Sequence, residues 1–255
     1  MDLDWLGNSE SFQETKEEVF EGGSWGDLPK RVQFRESEKF YLKGRMSSLT
    51  LEPEVEVACT QLAKIMGIPH VEYWLEEHTE LGTVSVSKDF TEGNPRVSLF
   101  RFLGSEISKK RGRQKYNLVV DSLSPECRLQ HDLILFFDFI VGNRDRHLRN
   151  FDMVKEDGQW KLAPMYDNGM ALFSRESNKH ILNQGLAFNY NDDFSRPYKE
   201  THTQQIKLVD LKRLVWNLPT EYQIKCILES SFEAERAVLL LSFIKRNFKE
   251  VGHEV

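Results

Sequence analysis

Residues 143–169 read NRDRHLRNFDMVKEDGQWKLAPMYDNG, and their polar side chains have the types and spacing that phosphoryl transfer uses. Asp145 is followed five residues later by Asn150. A second carboxylate, Asp167, opens a triplet with Asn168 and Gly169. Moving a phosphoryl group from Mg·ATP to a hydroxyl takes one carboxylate to orient the attacking oxygen. It also takes an amide and a second carboxylate to hold metal ions on the phosphates. A short charged string such as RDRH is also common on solvated surfaces, so the surrounding elements must decide.

Those elements favour a built site. The segment FDMVKEDGQWKLAP between the two halves of the motif has the pattern of a β-hairpin. Phe151 and Met153 alternate with polar residues, Asp157 and Gly158 form a turn signal, and Trp160 and Leu162 resume the alternation. A hairpin returns its ends to one place, so Asn150 and Asp167 are expected to face one site. Ahead of the motif, Ser124 and Pro125 start a helix as N-cap and first helical residue, and HDLILFFDFIVG continues it as a strongly apolar run. A buried helix therefore delivers the polar loop. Within that loop His147 is expected to make a structural hydrogen bond. Arg144 and Arg146 either face phosphate or pair with acidic neighbours, and Asp138 is a buried structural partner.

Upstream, VQFRESEKFYLKG predicts two strands joined by a polar turn, and Pro53 opens a helix that Gly67 ends. HVEYWLEE and LGTVSVSKDF read as two more strands. Lys43, at the end of a strand, is the best cation for the α- and β-phosphates, and Glu56 on the following helix is its expected partner, ahead of Glu52 and Glu54. The alternative for Lys43 is an ordinary strand-end lysine. The loop with Gly23, Ser24, Trp25 and Gly26 offers backbone N–H groups to phosphate but matches neither G-x-G-x-x-G nor the Walker A pattern. Lys30 is either a second phosphate contact or a surface charge. Residues 1–20 read as a short acidic helix or arm, and 168–203 as a long polar loop. Helices are expected at QIKLVDLKRLVWNL and EYQIKCILESSFEAERAVLLLSFIKRNF.

The layout is α+β: a β-rich lobe over 21–90 and a helical lobe over 91–255, in the bilobed manner of a protein kinase. At 255 residues the chain can bury a sizeable core. A net charge of −6 argues against nucleic-acid binding, and the basic cluster around Lys109 to Arg113 reads as a solvated loop between lobes. No apolar run approaches the ~18–20 residues of a membrane span. Cys59, Cys127 and Cys226 have no metal-ligand spacing, which fits a reducing, cytoplasmic setting.

Taken together, GNRDRHLRNF at 142–151 and APMYDNGMALF at 163–173 resemble the HipA-like serine/threonine kinases, the toxin kinases of bacterial toxin–antitoxin systems. FYLKG at 40–44, EVACTQLAKIMGIP at 56–69, GSWGDLPK at 23–30, VSKDF at 86–90 and RPYKETHTQQIKLV at 196–209 add to the resemblance. The resemblance implies a bilobed kinase fold, ATP and Mg2+ as cofactors, and a protein substrate with a serine or threonine acceptor. It makes Asp145 the catalytic base, Asn150 and Asp167 the metal ligands and Lys43 the phosphate-binding lysine. The loop over 23–30 would cover the phosphates, and residues from Val86 to Lys88 would read adenine through the backbone. Ser24 would be the site of autophosphorylation, with Ser174, Ser177 and Ser195 as alternatives, and an antitoxin would be the partner. Full-length HipA kinases carry an N-terminal subdomain that this short chain is expected to lack.

Two other classes compete with an active protein kinase: a catalytically quiet nucleotide-binding module, and a kinase of a small-molecule alcohol. Retention of Lys43, Asp145, Asn150 and Asp167 together counts against the first. For Asp167, loss of the charge is expected to relieve repulsion in a site without nucleotide.

Overall fold

The computed structural model describes residues 16–19, 28–184, 197–199 and 201–255. Gly23, Ser24, Trp25, Gly26 and Ser195 lie outside them. The first half builds a five-stranded antiparallel sheet in the order β1-β2-β3-β5-β4. Its strands are β1 (Lys16–Val19), β2 (Lys30–Arg35), β3 (Glu38–Lys43), β4 (Trp74–His78) and β5 (Gly82–Lys88). Glu36 and Ser37 both take positive φ, 49° and 72°, which is the hairpin geometry that follows the twist of the flanking strands. Directly opposed residues share a face, and the register Lys43↔Ser85 and Tyr41↔Ser87 sets these four on one side of the sheet. Leu42, Val84 and Val86 form a small apolar cluster of their own, with Phe40 packed against it. Helix α1 (Glu52–Met66) lies against this sheet. Pro53 stands in its first turn, and Gly67 closes it at φ 71°. Val55, Ala58, Cys59, Leu62, Ala63 and Met66 are all buried, as their helical spacing predicts.

The second half is organised around α4 (Pro125–Val141), preceded by β6 (Arg96–Ser98), α2 (Leu99–Phe102) and α3 (Gly112–Asp121). Ser124 caps α4 by accepting from the Cys127 N–H, and every residue from 131 to 141 is buried. Such a helix is buried on every side because other elements surround it, and its few polar residues there, His131, Asp132 and Asp138, are buried with it. The expected hairpin forms as β7 (Asp152–Glu156) and β8 (Gln159–Leu162), with Asp157 and Gly158 at φ 49° and 80°. β6 pairs along β7, so this half carries a three-stranded sheet of its own. Helices α5 (Asn178–Gln184), α6 (His202–Ile206), α7 (Glu221–Ser231) and α8 (Ala234–Glu250) complete it.

Several expectations change. Lys16–Val19 is an edge strand on β2, not part of a helical arm. The basic cluster is not a plain loop: Ser105–Lys109 is a 3₁₀ turn, and α3 begins at Gly112. The run QIKLVDLKRLVWNL is not one helix. α6 ends at Ile206, and the Asp210 side chain accepts from the Lys212 N–H to start a separate 3₁₀ turn. The last helical run is broken at Phe232 and Glu233. The 168–203 segment contains α5 rather than loop alone.

Gly142 ends α4 and launches the polar loop at φ 66°, with its N–H donating to the Asp138 carbonyl. A Cβ there would lie 2.8 Å from Phe243 Cζ. Gly142→Ala is therefore expected to combine left-handed strain of about 1–2 kcal/mol with a clash in the core. A fall in the urea midpoint with unchanged slope checks this. An unchanged midpoint would mean that the turn adapts.

Candidate active site

The two halves meet at a cleft of 580 Å³ whose wall includes Lys30, Tyr41, Lys43, Tyr73, Asn150 and Asp167. Lys43 occupies its floor. Its Nζ lies 2.9 Å from Glu56 Oε1 and 2.8 Å from Asp167 Oδ1, and 5.3 Å from the centre of the Tyr73 ring. β3 supplies the lysine, α1 the glutamate, and the segment after β8 the aspartate. The competing glutamates are engaged elsewhere, Glu54 with Arg45 and Glu52 with Arg175 at 2.9 Å.

Burial works against the charge on Lys43, yet the Asp167 and Glu56 carboxylates outweigh it and hold the ammonium well above its ordinary value. Burial likewise works against the Asp167 carboxylate. Lys43, followed by Lys30 and Arg146, outweighs it, so Asp167 sits below the usual carboxylate range. Burial pushes the Tyr73 hydroxyl up to about 12, with Lys43 opposing. Both ends of the ion pair are thus charged at neutral pH. The expected carboxylate repulsion around Asp167 is overturned, because its nearest charge is a lysine.

Asp167 adopts φ 61°, a left-handed conformation that aspartate tolerates better than most side chains. A hydrogen-bonded chain fixes its neighbours. Asp138, fully buried on α4, takes the Arg146 guanidinium through Nε at 3.0 Å and Nη2 at 3.2 Å. Arg146 also donates to the Tyr166 carbonyl and to Asn168 Oδ1. The Asn168 N–H donates to Glu56 Oε2 at 2.8 Å, which returns the chain to Lys43. Burial opposes the Arg146 charge, and Asp138 outweighs it.

Asn150 faces the cleft with its amide nitrogen committed to the Asp145 carbonyl at 2.9 Å, which leaves Oδ1 as the atom it presents. Asp145 is half-buried on the same loop, its N–H donating to Asn143 Oδ1, and it stands outside the cleft wall. Lys30 lies in the wall. Val86 and Lys88 do not: Val86 is in the small apolar cluster, and Lys88 is exposed beside Glu38. Alternation along β5 instead turns Ser87 to the cleft, with Phe90 just beyond. The structural hydrogen bonds expected of His147 form through its backbone, while its ring Nδ1 has no partner among the described residues. The His147 N–H donates to the Asp145 carbonyl, and the His147 carbonyl accepts from the Asn150 N–H. Arg144 pairs with Glu176. Ser174 is 1% exposed, which removes it as an accessible phosphorylation site.

Tyr73, Tyr166, Asn168 and Arg236 were not anticipated. Arg236, on α8, donates to the carbonyls of Leu172 and Phe173, whose φ angles of 46° and 55° make this turn after the Asp-Asn-Gly triplet unusual for non-glycine residues. Only the opening Asp-Asn-Gly could have signalled Asn168.

Oxygen donors from one carboxylate and one amide suit a hard cation. Among the described residues no group of three or more His, Cys, Asp or Glu could cage a metal, so this donor set fits an ion that keeps water and phosphate ligands, as Mg2+ does.

A small β lobe, a helical lobe and this cleft between them define a protein-kinase-like fold. The chain belongs to the HipA-like C-terminal domain family, whose model matches residues 29–228. Among solved structures it is similar to the proinflammatory kinase CtkA of Helicobacter pylori, at 14% identity and a TM-score of 0.70, covering 94% of each chain. It is also similar to HipA of Shewanella oneidensis MR-1, solved with HipB and operator DNA, at 15% identity and a TM-score of 0.48, covering 92% of this chain and 58% of that one. The choline kinase LicA of Streptococcus pneumoniae matches at 11% identity and a TM-score of 0.34, covering 93% of this chain and 87% of that one. No curated protein sequence matches the chain. Among the described residues, no helix is long and apolar enough to cross a membrane.

Proposed function

We propose that this chain is an ATP-dependent serine/threonine protein kinase of the HipA-like type. The observation that carries the reading is the Lys43 ammonium held between Glu56 and Asp167 at the floor of the cleft, with Asn150 in its wall. In this reading Lys43 binds the nucleotide phosphates and Glu56 holds it there. Lys30 adds charge at the same end. Asp167 and Asn150 hold Mg2+, which when bound neutralises charge on the phosphates. Between Val86 and Lys88, Ser87 contributes to the wall just past the point where the β4 ladder stops, at Val86. Gly23, Ser24, Trp25 and Gly26 belong to the proposal as the phosphate-covering loop on family resemblance alone, and so does an antitoxin partner.

Asp145 orients the acceptor hydroxyl and takes its proton. Asp145→Asn is accordingly expected to keep nucleotide affinity and to slow transfer by on the order of a hundredfold or more. Incubation with Mg2+ and γ-labelled ATP, alongside nucleotide titration, reads both quantities. Parallel loss of binding and transfer would make Asp145 a structural or metal residue instead. Absence of any labelled product from the unaltered protein, with every acceptor class offered, would sink the kinase reading.

A further inference from the structure

The start of α1 carries glutamates at alternate positions, and each meets a different cation. Glu56 takes Lys43 at 2.9 Å, Glu54 takes Arg45, and Glu52 takes Arg175, whose Nε lies 2.9 Å from Glu52 Oε1. Lys43 ends β3, and Arg45 follows two residues later. Arg175 comes instead from the turn after the Asp-Asn-Gly triplet, 123 residues from Glu52 in the chain and outside the cleft wall. We propose, resting on the kinase reading, that Arg175 is a positioning residue for nucleotide binding: by holding Glu52 it sets Glu56 on Lys43.

Glu52 and Glu56 stand four residues apart, so they are neighbours on one face of α1. The backbone of the triplet rests on that face. A Cβ at Gly169 would lie 3.4 Å from Glu52 Cβ and 3.5 Å from Glu56 Oε1, and the Asn168 N–H donates to Glu56 Oε2 at 2.8 Å. Beside Arg175, the Ser174 carbonyl accepts from the Leu51 N–H at 2.9 Å, just ahead of the helix. The far end of α1 is fastened separately, where the Asn217 N–H donates to the Met66 carbonyl at 3.0 Å. Loss of Arg175 therefore acts on the start of the helix. The Glu52 side chain is 1% exposed, and its Oε2 has no hydrogen-bond partner among the described residues. Deprived of its cation, such a carboxylate moves toward water, and Glu56 one turn on moves with it. The Arg175 side chain is itself 25% exposed, so replacing it opens no cavity in the core.

The test is a double-mutant cycle on the full-length protein, read by equilibrium titration with Mg·ATP, with urea midpoints measured alongside. Arg175→Gln is expected to weaken ATP binding about tenfold. In a Glu56→Gln protein the route through Glu56 is already cut, and the same change should alter affinity by less than about twofold. Arg175→Lys should recover most of the affinity, because the contact is made through one nitrogen and not a fork. Should Arg175→Gln not fold, Glu52→Gln removes the buried charge, weakens the same hydrogen bond, and should give a smaller loss with the same dependence on Glu56. An ion pair that only supports the fold would lower the urea midpoint and leave ATP affinity unmoved, which overturns the proposal. Equal weakening in both Glu56 backgrounds also overturns it, because Arg175 would then act by another route. Failure of the unaltered protein to bind ATP removes the kinase reading, and this inference with it.

Discussion

If the chain is the kinase proposed, Asp167→Asn is expected to leave a folded protein that transfers phosphoryl groups at least about a thousandfold more slowly, because on that reading Asp167 is a metal ligand and such a ligand supplies several kcal/mol of transition-state stabilisation. Asparagine is the informative replacement. It keeps the side-chain shape and tolerates φ 61°, where alanine would add backbone strain to the loss of the carboxylate. Stability should fall modestly as well, since Lys43 loses the carboxylate at 2.8 Å and keeps that of Glu56. The Asp167 side chain is 30% exposed at the cleft floor, so solvent screens the pair and limits that fall. The pH dependence has a fixed sign. Asp167 is depressed in the fold, so its contribution is present above the unfolded value of about 3.9 and is lost as pH falls through the lower folded value. Lys43 is raised, so its contribution is present below about 10.4 and is lost as pH rises through the higher folded value. The stability difference between the two proteins should therefore be flat from about pH 5 to 9 and shrink below about pH 4. Denaturant melts across that range, with a transfer assay at neutral pH, check both halves. A variant of normal stability that still transfers phosphate would remove Asp167 from the metal site.

Local signals predicted the parts of this site that local chemistry builds. Ser124 with Pro125, Pro53 with Gly67, and Asp157 with Gly158 each specify a helix end or a turn within a few residues, and all three form as expected. Glu56 could be chosen over Glu54 because it borders the apolar stripe of α1 and so turns inward. What could not be read depends on residues far apart in the chain. Lys16–Val19 has no apolar alternation, and only the β2 edge makes it a strand. The run from Gln205 to Leu218 has helix-like apolar spacing, yet tertiary packing overrides it. Trp216 stacks on Phe248 at 5.7 Å, and the Asn217 N–H donates to the Met66 carbonyl, so the chain there is drawn out between α8 and α1. Val86 and Ser87 differ only in which face of β5 they occupy, and strand parity near a lobe boundary is set by the register with β3. Arg236 supports the turn after Gly169 from 64 residues away, counted to Leu172.

Arg146 shows how far the site depends on one such non-local contact. Arg146→Met is expected to cost about 3–5 kcal/mol, because it strands the Asp138 carboxylate in a fully buried position without its cation. The Asn143 amide, 2.9 Å from Asp138, cannot replace a guanidinium that meets both carboxylate oxygens. The same change strips donors from the Tyr166 carbonyl and Asn168 Oδ1, which flank Asp167. Stability and activity should then separate in a second variant. Asp138→Leu/Arg146→Met removes both buried charges, and apolar replacement of a whole buried pair is often neutral or better, so much of the lost stability should return. Activity should stay low, since the segment around Asp167 still lacks its anchor. Arg146→Lys keeps the charge but not the planar fork, and should fall between the unaltered protein and Arg146→Met on both measures. Urea unfolding of the three variants, with a transfer assay on each, makes the comparison. A loss below about 1 kcal/mol in Arg146→Met would mean that water or a shifted neighbour satisfies Asp138. Full activity in the double variant would show that Asp167 holds its position without the chain running from α4 through Arg146 and Asn168 to Glu56.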